Sequence, residues 1–221
     1  MAQSDRVVCL SYKNLLNGDD LSREIEVAFG YNGLGVLTVS GIPNICKYRK
    51  ELLKQGRKFV MLDHSIKEKY AHPESFYSFG WSHGKEKLMG YPDISKGSYY
   101  ANPLSDTPST NLQEIEKYPS FLCPNIWPTE ELPEFEPAFK TLGKSIIEVG
   151  KLIAAQCDRY INTVLCSESA LSSSLSLSQT ISTSICCKAR FLHYYPIPVV
   201  TTTNLKEKEE EREREEEEGE T

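Results

Sequence analysis

The chain has 221 residues, of which 39% are hydrophobic and 25% are charged, so it is long enough for one globular domain with a core of its own. Its net charge of −6 equals that of residues 206–220, where ten Glu face four Lys or Arg, so residues 1–205 are balanced and predict no nucleic-acid partner. The start shows no secretory signal and no run reaches the ~18 apolar residues of a membrane span, so we expect a cytoplasmic protein without a membrane partner.

The first predicted elements are a strand, a helix and a second strand. Residues 6–12 are predicted to form a short strand, and residues 21–29 a helix that ends before Gly33 and Gly35. Residues 36–40 are apolar and β-branched enough for a buried strand.

A long helix is predicted next, because apolar residues recur at spacings of three, four or seven on one face. They are Tyr48, Leu52, Phe59, Leu62, Ile66 and Tyr70. Residues 71–133 hold many Pro, Gly, Ser and aromatic residues, so we interpret them as a long ordered loop region with short strands.

The clearest predicted helix covers residues 137–165, where an unbroken apolar stripe favours burial in a core. The stripe consists of Phe139, Leu142, Ile146, Val149, Ile153, Cys157, Tyr160 and Val164. A flexible Ser-rich loop that could include a turn of helix is predicted at residues 167–184. Residues 189–195 alternate as a strand does, with Phe191, His193 and Tyr195 on one face and Arg190, Leu192 and Tyr194 on the other. The Glu-rich end has no apolar residue after Leu205 and is predicted to be a disordered, solvated tail.

The glycines at positions 30, 33 and 35 are a weak candidate for a phosphate-binding loop. A dinucleotide loop follows a strand and opens a helix, whereas these glycines follow a helix and precede a strand. A plain helix-to-strand turn is therefore the favoured interpretation. Seven scattered cysteines without a C-x-x-C pair predict reduced thiols, not a disulfide framework or a zinc site.

Among the chemistries considered, metal binding has the most direct candidate residues in this sequence. His72 and Glu74 form an H-x-E pair, which could supply two ligands of a facial iron triad, and His193 would have to be the third. The pair lies after a predicted helix in an irregular segment, however, so His72 is better interpreted as a helix-ending residue.

Four segments together resemble the isopenicillin-N-synthase-like dioxygenases, which depend on iron and 2-oxoglutarate. They cover the chain from about residue 6 to residue 198, in the order that the family has. They are DLSREIEVAFGYNGLGVLTVSGIP, FGWSHGKEKLMGYPDISKGSYYANPLSDTP, YPSFLCPNIWPTEELPEFEPAF and KARFLHYYP.

The resemblance implies an α+β fold, with the N-terminal helices and strands of the family and an incomplete double-stranded β-helix, or jelly roll. In the family an H-x-D pair and a distant His bind iron, and an R-x-S motif binds 2-oxoglutarate, all downstream of the KARFLHYYP-like strand. This sequence contains neither motif. No residue therefore inherits a catalytic, cofactor-binding or metal-binding role, and Arg190 and His193 receive a structural role only.

The resemblance predicts a dioxygenase-like region at residues 1–198, including the Ser-rich loop at 167–184, followed by an acidic tail at residues 199–221. The leading hypothesis is a truncated, catalytically inactive member of this oxidoreductase family. No cofactor is expected in this chain, while Fe(II), 2-oxoglutarate and a small-molecule substrate belong to full-length relatives. Two alternatives stay open. One is a non-catalytic interaction protein that binds an unknown protein partner through the exposed partial core and the acidic tail. The other is an enzyme that uses His72, Glu74 and His193.

Overall fold

The computed structural model of the chain describes residues 7–88, 90–165 and 176–196. Half of the predicted Ser-rich loop, residues 167–175, and the whole predicted acidic tail at 199–221 lie outside the described residues. The other half of that loop contains a helix of seven residues, longer than the single turn that the sequence suggested. The elements below are numbered in chain order.

The chain begins with the predicted strand, helix and strand, and a short helix that was not predicted follows the first strand. These elements are β1 (Val8–Ser11), α1 (Tyr12–Asn17), α2 (Ser22–Phe29) and β2 (Leu37–Ser40). The two strands pair in parallel. The prediction that β2 is buried was wrong, because only Leu37 and Val39 turn towards the core while Thr38 and Ser40 are exposed.

The glycine-rich segment between α2 and β2 is a turn, as the sequence favoured. Gly35 has a φ of 70°, a left-handed conformation that glycine adopts without steric cost. A side chain at Gly33 would place its Cβ 2.5 Å from the carbonyl oxygen of Ala28. Close approach and chain reversal therefore account for these glycines.

The predicted long helix is two helices, α3 (Ile45–Val60) and α4 (His64–Glu68). The backbone leaves the helical conformation at Asp63, which has a ψ of 147°. Leu62 and Ile66 still pack against the same core as Phe59, so the apolar spacing continues across the break.

Residues 71–133 form the predicted irregular region with short strands. It contains a 3-10 turn at Pro73–Ser75, the strands β3 (Gly80–His83), β4 (Lys87–Leu88), β5 (Tyr91–Pro92) and β6 (Lys96–Ala101), and the short helices α5 (Leu112–Lys117) and α6 (Pro119–Leu122). β4 and β5 form a small hairpin next to β3 in sequence.

The remaining elements are α7 (Phe135–Leu165), α8 (Leu177–Thr183) and β7 (Ala189–Tyr194). α7 confirms the clearest helix prediction and begins two residues earlier. β7 confirms the predicted C-terminal strand, and it joins β3 and β6 in an antiparallel sheet of order β3-β6-β7.

Two hydrophobic clusters lie along α7. The larger cluster is aromatic. The centroid of the Phe59 ring lies within 6.0 Å of the centroids of four other rings. Those rings belong to Tyr70, Trp81, Tyr99 and Phe135. The smaller cluster joins β1, α1 and α2 to the C-terminal half of α7 through Ile153, Cys157 and Tyr160. Most of the stripe residues whose side chains the structure describes are thus core, and Ile146, which is 57% exposed, is the exception among them.

Candidate functional site

β7 carries the side chains that its alternating sequence predicted on one face. Phe191 is buried in the aromatic cluster, and His193 and Tyr195 follow it at intervals of two residues. The backbone N–H of Tyr195 donates to the carbonyl oxygen of Ser95 over 2.8 Å, which continues the pairing with β6 beyond the end of β7. The face therefore ends in two polar aromatic residues.

His83 of β3 completes a group of three rings around Tyr195. The centroid of the Tyr195 ring lies 4.7 Å from that of His83 and 4.7 Å from that of His193. His83 is fixed by a 3.0 Å hydrogen bond between its Nε2 and the carbonyl oxygen of Ile94. We call His83, His193 and Tyr195 the ring triplet.

The hydroxyl of Tyr195 is buried and has no hydrogen-bond partner among the described residues. Burial raises the pKa of Tyr195, so the hydroxyl keeps its proton at neutral pH. A buried polar group without a partner is costly, and in a folded protein it calls for an explanation such as a bound ligand or water. The Tyr195 hydroxyl is therefore a candidate hydrogen-bond donor to a bound molecule or to water.

The charge on His193 is disfavoured. Burial, followed by the positive charges of Lys67 and Arg57, lowers the pKa of His193 below its ordinary value. The imidazole is therefore neutral at pH 7. It borders an open groove of about 380 Å³ between α3 and β7, which is also lined by Leu53, Arg57, Val60, Met61, Phe191 and Leu192.

Arg190 lies on the opposite face of the sheet, in the structural role that the sequence predicted. Its guanidinium donates to the Ser98 hydroxyl from Nε at 3.1 Å and from Nη2 at 2.7 Å. It stacks 5.0 Å from the centre of the Tyr100 ring and lies 3.4 Å from the Glu86 carboxylate. These contacts hold β7 to β6, and the Glu86 carboxylate offsets the positive charge of Arg190.

The improvised metal site does not assemble. His72 and Glu74 lie near one another, with Nε2 and Oε2 3.8 Å apart, but His193 belongs to the ring triplet on β7. Within the described residues no three His, Cys, Asp or Glu side chains are grouped to hold a metal ion. These residues do not fit the facial triad of a non-haem iron site.

His72 also differs from its prediction as a helix-ending residue. α4 ends at Glu68, and His72 instead begins the 3-10 turn, where its Nδ1 accepts from the backbone N–H of Ser75 over 3.2 Å. Its role here is local.

Sequence reasoning missed the ring triplet. Alternation along β7 was enough to put His193 and Tyr195 on one face. Nothing in the sequence indicated that His83, on a strand far earlier in the chain, would meet them.

Within the described residues, no helix has both the length and the apolar character to cross a bilayer.

Comparisons with known proteins agree with this architecture. Residues 7–130 match the family model described as the N-terminal region of non-haem dioxygenases in morphine synthesis. No curated protein matches the chain.

Two solved structures have a similar fold. A 2OG-Fe(II) oxygenase family protein from Caulobacter crescentus has a TM-score of 0.62 at 20% identity, over 89% of this chain and 58% of that one. A full-length protein from Neurospora crassa, in complex with alpha-KG, has a TM-score of 0.56 at 18% identity, over 87% of this chain and 56% of that one.

This chain thus spans less than two thirds of the length of either of these proteins. The family match covers more than half of the chain, and the fold is the mixed α+β fold of the two solved structures. The chain belongs to the family of the N-terminal regions of non-haem dioxygenases.

Proposed function

We propose that this chain forms the N-terminal part of a 2-oxoglutarate and Fe(II)-dependent dioxygenase fold and that, by itself, it does not oxidise a substrate. The proposal rests on one observation: this chain lacks the metal-binding residues that iron-dependent members of the family would need. The described residues offer no group of three metal ligands, and the sequence contains no H-x-D or R-x-S motif. Iron held by fewer than three protein ligands would be weakly bound and badly oriented.

Within that fold, the described residues serve as a scaffold. β7 is anchored on one side by its pairing with β6 and by Arg190, and it ends at the ring triplet. The buried hydroxyl of Tyr195 is then available as a hydrogen-bond donor to a ligand or to a group supplied from elsewhere. Oxidation of a small molecule with Fe(II) and 2-oxoglutarate belongs, in this proposal, to full-length relatives.

The proposal includes a location and a domain division. We place the protein in the cytoplasm, without a nucleic-acid or membrane partner, and we assign residues 1–198 to the dioxygenase-like region and 199–221 to an acidic tail. The composition supports the division, since the acidic residues cluster after Leu205, and the balanced charge of residues 1–205 supports the absence of a nucleic-acid partner.

The test is a turnover assay on the purified chain. We expect no succinate above a protein-free control when 2-oxoglutarate, Fe(II), ascorbate and oxygen are supplied. We also expect calorimetry to detect no stoichiometric Fe(II) binding. Succinate formation that requires added Fe(II) and disappears in a His72→Ala or His193→Ala variant would support the improvised enzyme site instead.

An interaction protein is the second candidate, and the outer edge of β7 favours it. No described strand pairs with that edge, and the side chains of Leu192 and Tyr194, which share one face of β7, are 37% and 67% exposed. An exposed strand edge is a template for pairing with another chain. Self-association in sedimentation velocity that disappears on Tyr194→Lys would support this candidate, and a monomer at every concentration would count against it.

A further inference from the structure

Helix α3 has a row of basic side chains on the face that points away from the core. All of them are exposed, and their spacing of three, four, three and one residues keeps them on one side of the helix. They are Lys47, Lys50, Lys54, Arg57 and Lys58, and we call them the basic row. The opposite side of α3, with Leu52, Gly56 and Phe59, is buried.

The basic row is almost unpaired within the described residues. Its one ion pair there is a 3.9 Å contact between Lys54 Nζ and the Glu51 carboxylate, and both side chains are largely exposed. Like charges three or four residues apart on a helix repel one another. The balanced charge of residues 1–205 thus conceals a local excess of positive charge, and an acidic segment lying along the row would relieve the repulsion.

We infer that the acidic segment of the same chain, residues 206–220, docks on the basic row of α3. Charge complementarity supports this occupant: the segment has ten Glu against four Lys or Arg, and the row has five cations. Among the described helices and strands, none is nearly as acidic, and a mixed Glu, Lys and Arg sequence has no apolar face of its own to bury.

The geometry allows the contact within one chain. His193, near the end of β7, lines the same groove as Arg57, so the last described residue, Pro196, follows β7 at the C-terminal end of the row. Residues 197–205 can span up to ~30 Å, whereas the row from Lys47 to Lys58 is ~16 Å long. A tether this short gives an effective concentration in the ~mM range, which lets weak ion pairs act together.

The experiment is zero-length cross-linking of the full chain with a carbodiimide, which joins carboxylates to amines, followed by peptide mass spectrometry. We expect Glu residues of the segment to cross-link to Lys47, Lys50, Lys54 and Lys58 within one chain. Raising the salt from 10 mM to 1 M should abolish these products, because the Debye length falls from ~30 Å to ~3 Å. Exposed Lys117 and Lys144 serve as reference amines in the same sample.

Matched variants separate docking from mere reactivity. In a Lys50→Gln, Lys54→Gln variant, cross-links at the remaining Lys47 and Lys58 should decrease, whereas a Lys117→Gln, Lys144→Gln variant should leave them unchanged. Equal cross-linking of the row and the reference lysines would overturn the inference. Products found only between chains, in a mixture of ¹⁵N-labelled and unlabelled protein, would overturn it as well, because the occupant would then be the segment of a second copy.

Discussion

Gly56 of α3 lies directly against the ring of Phe191 of β7. A Cβ built at Gly56 would lie 2.3 Å from both Cε2 and Cζ of that ring, which is closer than real side chains approach. Phe191 is only 6% exposed and belongs to the aromatic cluster, so its ring cannot move aside freely. The absence of a side chain at position 56 is what allows α3 to pack against the end of the sheet.

Gly56→Ala should therefore destabilise the protein although alanine is the better helix former. The helix gains ~1 kcal/mol in propensity, while overpacking of a buried ring costs ~1–3 kcal/mol. We expect a net loss of up to ~2 kcal/mol in the free energy of unfolding, measured by urea denaturation. A Gly56→Ala, Phe191→Leu double variant should recover part of the loss, and a stabilised single variant would contradict the close contact.

Two glycines of α7 offer a comparison within one helix. A Cβ at Gly143 would meet the Cβ of Pro103 at 2.4 Å, whereas a Cβ at Gly150 would meet nothing within 4 Å. We expect Gly150→Ala to raise the unfolding free energy by ~0.5–1 kcal/mol through helix propensity alone. Gly143→Ala should lower it by up to ~2 kcal/mol, because overpacking against the buried, rigid Pro103 costs ~1–3 kcal/mol and the same gain in helix propensity offsets part of that cost. Equal effects of the two substitutions, compared by thermal melts, would refute this account.

Periodicity predicted α7 well because its apolar stripe runs without interruption over eight positions. The same signal failed at the end of α3. Leu62 and Ile66 continue the spacing and pack on the same cluster, yet the chain leaves the helix at Asp63. Spacing reports which side chains face the core and not whether the backbone between them is continuous. Asp63 could have indicated a helix start, but its side chain makes no capping hydrogen bond.

The candidate site was predictable only in part, for a related reason. Alternation along β7 follows from the two-residue repeat of a strand, and it placed His193 and Tyr195 together. Their meeting with His83 depends on β6 pairing with both β3 and β7. Such pairings between distant segments leave no local pattern in a single sequence, so the orphan hydroxyl of Tyr195 could not be foreseen either.

Tyr195→Phe tests that hydroxyl. Because the hydroxyl is buried and has no partner in the described part of the chain, its removal should leave the unfolding free energy unchanged or raise it by up to ~1 kcal/mol. The control is Tyr99→Phe, since the buried Tyr99 hydroxyl donates to the carbonyl oxygen of Ile126. That substitution should cost ~1 kcal/mol or more, because it also leaves the Ile126 carbonyl oxygen without this donor. A loss at Tyr195 as large as that at Tyr99 would mean that the hydroxyl is paired in solution.

The last prediction concerns Asp158, which attaches α8 to α7. Its carboxylate accepts from the backbone N–H groups of Leu177 at 2.7 Å and Ser178 at 3.0 Å, and from the hydroxyls of Ser176 and Ser178. Burial works against the charged form. The hydrogen bonds from Ser178, Leu177 and Ser176 outweigh it, and the pKa of Asp158 is lowered. Protonation of Asp158 should therefore weaken the hold on α8.

The sign of the pH dependence follows from the lowered pKa. A depressed carboxyl pKa contributes stability that is present above the unfolded value of ~3.9 and is lost as the pH falls through the folded pKa.

At pH 7, Asp158→Ala should remove the attachment altogether, and limited proteolysis should then cut near α8 sooner than in the parent chain. Glu148→Ala is the matched control on the same helix, because Glu148 is exposed and only pairs with the nearby Lys151 at 2.8 Å. Unchanged cleavage of the Asp158→Ala variant, or equal acceleration in both variants, would show that Asp158 does not hold α8 in place.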